Sequence, residues 1–136
     1  MRFIYSGFTL IELLLALAIS AILIAMGYPA YVSHQTHAER NRAEIALMQL
    51  SSQLEIYFSD NDSYADATID ALHAENLVDG LHYQLAIISA TDSHYEIQAI
   101  PTDIQAKRDT NCGTLSLFDT NERKISGDGN VKQCWM

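Results

Sequence analysis

Few side chains in this sequence stand where they could do chemistry, and Glu12 is the most conspicuous of them. From Leu13 to Tyr28 no residue is charged, and only Ser20 and Gly27 are not aliphatic, aromatic or Met. A carboxylate at the head of such a run costs about 3 kcal/mol in a bilayer even on the gentler insertion scales, so it calls for a partner. Two kinds are open. One is local: Thr9-Leu10-Ile11-Glu12 fits a capping box, with Thr9 as N-cap and Glu12 reaching back to its backbone N–H. The other is a cation supplied from elsewhere, and the first does not exclude the second.

The remaining candidates carry less. Cys112 and Cys134 are the only cysteines. They either remain as buried thiols or close a loop worth about 3 kcal/mol in the chain-entropy picture, which implies an oxidising compartment. No neighbouring His or Cys supplies zinc-like spacing. His34 and His37 fall three apart on one helical pattern without a third ligand, and His73, His82 and His94 have no readable partners. Asp60, Asp62, Tyr64 and Asp66 alternate as in a calcium loop, but Ala65 stands where the sharp-turn Gly belongs and Ala71 where the bidentate Glu belongs. Neither a nucleophile elbow nor a triad-like context is present, so no catalytic set, metal site or cofactor is expected.

These residues need elements to position them. The uncharged run is long enough to enter a bilayer as a helix, which takes roughly 17 to 25 residues. A secretory signal fits poorly: the start has one basic residue, Arg2, Glu12 interrupts, and the cleavage-like Ala16-Leu17-Ala18 lies inside the apolar segment. A plain signal anchor explains the length but leaves Glu12 without a role. Gly27-Tyr28-Pro29 then predicts a kink or, alternatively, a helix end, because Pro29 lacks an N–H and crowds the preceding turn. Beyond it Ala43, Leu47, Leu50, Leu54 and Tyr57/Phe58 recur at spacings of three and four, with Glu44, Gln49, Gln53 and Glu55 mainly off that stripe. One helix from about Phe8 to about Phe58, roughly 75 Å long, is the reading.

Ser59-Asp60-Asn61-Asp62-Ser63 stops that helix, Ile69 to Leu77 is a short helix or irregular, and Asp79-Gly80 marks a turn. The period then changes to two. His82 to Ile88, Tyr95 to Ile100, Thr114 to Phe118 and a short piece near Arg123 to Ser126 read as strands of an antiparallel meander, separated by turn clusters. The stripe from Ala43 to Phe58 is the amphipathic surface available to cover one face of that sheet.

Composition bounds the rest. The 136 residues allow one domain plus an anchor, and the formal net charge of -9 argues against nonspecific nucleic-acid binding as the main task. Eleven acidic residues between Glu39 and Glu96 face only Arg40 and Arg42, whereas Asp103 to Lys132 sets five acids against Lys107, Arg108, Arg123, Lys124 and Lys132. A solvated surface is the plain reading of that contrast, and a local anion or partner site near the C-terminus the sharper one.

The N-terminal constellation of Gly7, Phe8, Thr9, Leu10, Ile11, Glu12 and Leu13 ahead of an uncharged run resembles the N-terminus of type IV pilins. Cys112-Gly113-Thr114-Leu115-Ser116-Leu117, a turn-rich stretch and Gln133-Cys134-Trp135 resemble the disulfide-bounded C-terminal region of type IVa pilins, especially the small PilE-type minor pilins. The resemblance implies an α+β pilin fold: a long N-terminal helix on an antiparallel sheet of about four strands, with a Cys112–Cys134 disulfide. It implies residues 1–7 as a leader, 8–31 as a membrane and filament-core helix and 32–136 as the outer globular domain. A prepilin peptidase would cut between Gly7 and Phe8, and the Phe8 amine would be N-methylated. Removing Met1 to Gly7 takes Arg2 with it and brings the side-chain charge from -9 to -10. Glu12 would then set filament register by pairing with the Phe8 amine of a neighbour, with Gly27 and Pro29 as the kink. Expected partners are other pilin subunits, the prepilin peptidase and the inner-membrane assembly machinery. The domain would stand in the periplasm before assembly and in an extracellular pilus after it. The implied function is a structural pilus subunit serving twitching motility, adhesion or DNA uptake. The alternative is a minor pilin or pseudopilin that initiates assembly or contacts DNA or surfaces through its C-terminal loop.

Overall fold

The structure, a computed structural model, describes residues 7–135. A leader reading of Met1 to Ser6 lies outside the described residues. The first helix, α1, runs Leu10–Asn61. It begins where Thr9 accepts from the Leu13 N–H through its carbonyl, at 3.2 Å, and it ends where Asp62 takes a left-handed φ of 54° and donates its N–H to the Phe58 carbonyl. Asn61 Nδ2 caps the Tyr57 carbonyl at 2.9 Å, so the helix-stopping cluster works by satisfying the last carbonyls. Pro29 sits within α1 and does not end it.

The chain divides into two units, one ending at Gln35 and the other beginning at Thr36, and α1 contributes to both. In the first, every side chain from Gly7 to Tyr31 is exposed. The second unit holds the core. After α1 come a 3-10 turn at Glu75–Val78 and strands β1 (Tyr83–Ala90) and β2 (Tyr95–Pro101). A short helix α2 (Asp103–Arg108), strands β3 (Leu115–Phe118) and β4 (Arg123–Ile125) and a last turn of helix, α3 (Val131–Cys134), complete it. The four strands form one antiparallel sheet in the order β1-β2-β3-β4, the expected meander. Leu85 pairs with Ala99, Ile97 with Leu117 and Leu115 with Ile125, so one face of alternate residues is apolar across the sheet. That face is buried with Ala43, Leu47, Leu50 and Leu54 of α1.

Two expectations need amendment. The stripe on α1 continues towards the N-terminus through Thr36 and Arg40, which are both buried. Glu44, read as lying off the stripe, is buried too, because it flanks Ala43 and Leu47 where the helix is covered on more than a narrow face. The segment Ile69 to Leu77, expected as a short helix or irregular, is irregular turns running into the first three residues of the 3-10 turn, while α2 and α3 occupy stretches to which the pattern assigned no element.

Candidate functional site

At the head of α1 the Glu12 carboxylate is engaged locally. Its Oε2 accepts from the Thr9 backbone N–H at 2.9 Å and from Thr9 Oγ1 at 2.7 Å, while Glu12 N–H donates back to Thr9 Oγ1 at 3.3 Å. This reciprocal capping box satisfies N-terminal donors that a helix leaves open. Ser20 donates its hydroxyl to the Ala16 carbonyl at 2.8 Å, so the one polar side chain within the apolar run is also satisfied inside the helix. Ala16/Ser20 and Ala21/Ala25 supply small residues at four-residue spacing, the pattern that lets helices approach closely. The segment is long and apolar enough to cross a membrane, and Tyr28 and Tyr31, both exposed, stand at its end where aromatic side chains suit an interface.

In the second unit a polar cluster, which the sequence pattern did not show, ties the C-terminal region to α1. Arg40 donates from Nε to Asp109 Oδ2 at 2.7 Å and from Nη2 to Asp109 Oδ1 at 2.9 Å. Its Nη1 reaches the Gln133 carbonyl at 3.5 Å. Gln105 Nε2 donates to the Thr36 carbonyl and to the Tyr83 hydroxyl, and Tyr83 leans on Asp109. Burial, with the charge of Asp109 adding to it, pushes the Tyr83 phenol up to about 12. A charged residue at helical spacing within an apolar stripe, Arg40 before Ala43 and Leu47, was the available signal.

Cys112 and Cys134 form a disulfide with Cα atoms 5.6 Å apart. Beside it, Gly127 N–H donates to the Cys112 carbonyl and Gly129 N–H to the Asn111 carbonyl, so the loop before α3 lies directly on the loop after α2. Trp135 is buried, donates Nε1–H to the Lys124 carbonyl and carries the Arg123 guanidinium over its ring at 5.2 Å. Lys124 pairs with Glu122. Lys107 and Arg108 on α2 and Lys132 on α3 are exposed, with no ion pair to another side chain among the described residues. His82 and His94 turn out to have carboxylate partners, Glu39 and Asp119, whereas no group of three or more metal-ligating side chains forms among the described residues.

A family model described as type IV minor pilin ComP, DNA uptake sequence receptor, matches residues 29–116, more than half of the chain. The chain belongs to this family of type IV minor pilins. A second model, the prokaryotic N-terminal methylation motif, matches residues 3–28 of the pilin, across the Gly7/Phe8 junction. The type IV major pilin protein PilA of Myxococcus xanthus is 37% identical over 60 residues, which make up 44% of this pilin and 27% of that relative. The solved non-core minor pilin PilV of Neisseria meningitidis shares the fold, with a TM-score of 0.57 at 15% identity over 73% of this pilin and 95% of that chain. The type IV pilin fold is thus present: a long N-terminal helix, a four-stranded antiparallel sheet and a disulfide near the C-terminus.

Proposed function

We propose that this pilin is cut between Gly7 and Phe8 by a prepilin peptidase, methylated on the Phe8 amine, held in the inner membrane with its domain in the periplasm, and built into an extracellular pilus as a minor subunit. The observation that carries the reading is the bare apolar surface of α1: large side chains from Phe8 to Met26 are more than half exposed, a surface that water does not tolerate but lipid or other helices do. In the filament Glu12 exchanges its local bond to Thr9 for the methylated amine of a neighbouring subunit's Phe8. Only one axial stagger satisfies both charges in a dry bundle, so the pair fixes register. Gly27 and Pro29 give the helix its weak point between the membrane half and the domain.

The test follows Glu12→Ala through fractionation of the native host, without wild-type subunit. Membrane insertion should be retained, because an ionisable group has left the lipid. Recovery in sheared filaments should collapse, because the neighbour's amine is left unpaired. Normal incorporation would rule out the register role. Intact mass of the native protein should correspond to a methylated chain beginning at Phe8, and a start at Met1 or after Ala18 would sink the processing reading.

A second reading is favoured by one observation, the exposed cations Lys107, Arg108 and Lys132 in an otherwise acidic chain, on two segments held by one buried Arg40. On this reading the pilin binds DNA phosphates there and serves DNA uptake, as the matched family's description says of its receptor. Every phosphate that the protein no longer neutralises should reduce the salt dependence of binding by about one unit of log–log slope. Lys107→Gln with Arg108→Gln and Lys132→Gln should therefore weaken binding of a DNA duplex and flatten its salt dependence, with thermal stability unchanged. Unaltered binding would remove this reading and leave the filament role intact.

A further inference from the structure

Aspartate is followed by glycine at two places in this chain, Asp79-Gly80 and Asp128-Gly129. At such a pair the glycine nitrogen can attack the aspartate side chain, because no Cβ stands in its way. All four residues are exposed, so access to water does not separate the two pairs. Their hydrogen bonds do. Asp79 and Gly80 are the central residues of a turn between the 3-10 turn and β1. With φ -57° and ψ 129° at Asp79, φ 72° at Gly80 and the Leu81 N–H on the Val78 carbonyl at 3.0 Å, it is a type II turn. The Gly80 N–H and the Asp79 carboxylate make no hydrogen bond among the described residues. Swinging ψ at Asp79 to bring the two together breaks the bond that closes the turn. Asp128-Gly129 is pinned instead. Gly129 donates its N–H to the Asn111 carbonyl at 2.8 Å, Gly127 donates to the Cys112 carbonyl at 3.1 Å, and the Cys112–Cys134 disulfide holds the far end of the loop. A Cβ at Gly127 or Gly129 would run into the Asn111 carbonyl, so this loop has no room to turn while it stays closed.

We propose that Asp79 is a site of spontaneous backbone isomerisation and that Asp128, with the same neighbour, is shielded from it by the fold. The Gly80 nitrogen bonds to the side-chain carboxyl carbon of Asp79, and a water leaves as the cyclic imide closes. Water then adds at the backbone carbonyl carbon of Asp79, whose bond to the Gly80 nitrogen breaks. The chain continues through the side-chain carbon as isoaspartate. The water lost is regained, so mass is unchanged and no oxidant, reductant or enzyme is required. A carboxylate is kept, and the change is one of geometry: the backbone path gains a carbon. That carbon falls just ahead of His82, whose N–H and imidazole meet the Glu39 carboxylate at 3.0 to 3.1 Å. The altered turn therefore bears on a contact that ties the start of the sheet to α1.

The experiment ages the full, disulfide-intact chain in detergent at neutral pH, below its melting temperature, beside a reduced sample held unfolded in guanidinium. Isoaspartate is located by peptide mapping with fragmentation that separates the two linkages, since mass alone does not. In the folded chain the product at Asp79 should exceed that at Asp128 by about tenfold or more, because one turn opens locally and the other loop must first come free of Asn111. In the unfolded chain the two sites should react within about twofold of each other, as contacts made by the fold no longer separate them. Asp79→Glu keeps the charge but would need a larger ring, so it should remove the product there and leave Asp128 unchanged. Comparable product at the two sites of the folded chain, more at Asp128, or product at Asp79 only after unfolding would overturn the inference.

Discussion

Arg40 and Asp109, 69 positions apart in the chain, meet in a two-pronged ion pair, with only 6% and 3% of their side chains left to solvent. A buried pair of this kind gains little over a well-packed apolar substitute, but losing one partner strands a charge. Arg40→Met or Asp109→Leu alone should cost about 3 to 5 kcal/mol of domain stability, and the two together should restore most of it. Urea unfolding of the disulfide-intact protein in detergent measures both. Equal and additive losses would mean that the pair is not the unit that matters.

The buried phenols set the alkaline limit of the domain. Tyr64 is held at about 12 by burial and by its bond to Glu55, Tyr83 at about 12 by burial first, and Tyr95 is raised, again chiefly by burial. Their ordinary value is 10.0. Because the fold raises these values, it favours the neutral form: the contribution is complete below pH 10 and is lost as the pH climbs from there through 12. Melting temperature against pH should therefore fall in that window, and Tyr83→Phe should make the fall shallower. A profile unchanged by that substitution would show that Tyr83 does not report the transition.

Two glycines should respond in opposite ways to the same added methyl. At Gly127 a Cβ would run into the Asn111 carbonyl oxygen, whereas at Gly27 it would meet nothing within 4 Å. Gly127→Ala should cost about 1 to 3 kcal/mol by forcing the two loops apart. Gly27→Ala should be tolerated and strengthen the helix by up to about 1 kcal/mol. Thermal unfolding and subunit levels in the host distinguish the two, and equal behaviour would contradict the close approach of the loops.

Loss of the Cys112–Cys134 bond should be felt well away from it. The loop it closes holds Gln133 against Arg40, and Trp135, the next residue after it, enters the core. Cys112→Ser with Cys134→Ser should cost about 2 to 5 kcal/mol, and amide exchange should rise at α2 as well as at α3. Exchange confined to α3 would show that the bond holds only the last turn.

What could be read from the residues depended on how local the cause was. The four strands were legible because their Ile, Leu, Tyr and Thr content and the turn clusters between them are local signals, although burial alternates cleanly along β2 and not along β3, and the capping box because Thr9 and Glu12 are three residues apart. α2 was not legible: six residues opening with Asp103 at a φ of 46° carry too few turns for a periodic signal. Arg40 and Gln105 lay in plain view, but what makes them structural is a partner on a distant segment, and spacing along the chain carries no trace of that. Glu44 escaped the pattern for a related reason, since burial depends on how widely the helix is covered, which the apolar stripe alone understates.

The first half of α1 closes most of its own hydrogen bonds. The capping box takes up two of the leading donors and Ser20 returns its hydroxyl to the turn below, so this rod asks little that is polar of its surroundings beyond a partner for one carboxylate. Moving it from one apolar medium to another then leaves the helical backbone bonds in place and, apart from the bond between Thr9 and Glu12, exchanges only contact surface. On the filament reading, such a helix passes from lipid to neighbouring helices without unfolding, so its entry into a fibre is a transfer between solvents rather than a refolding.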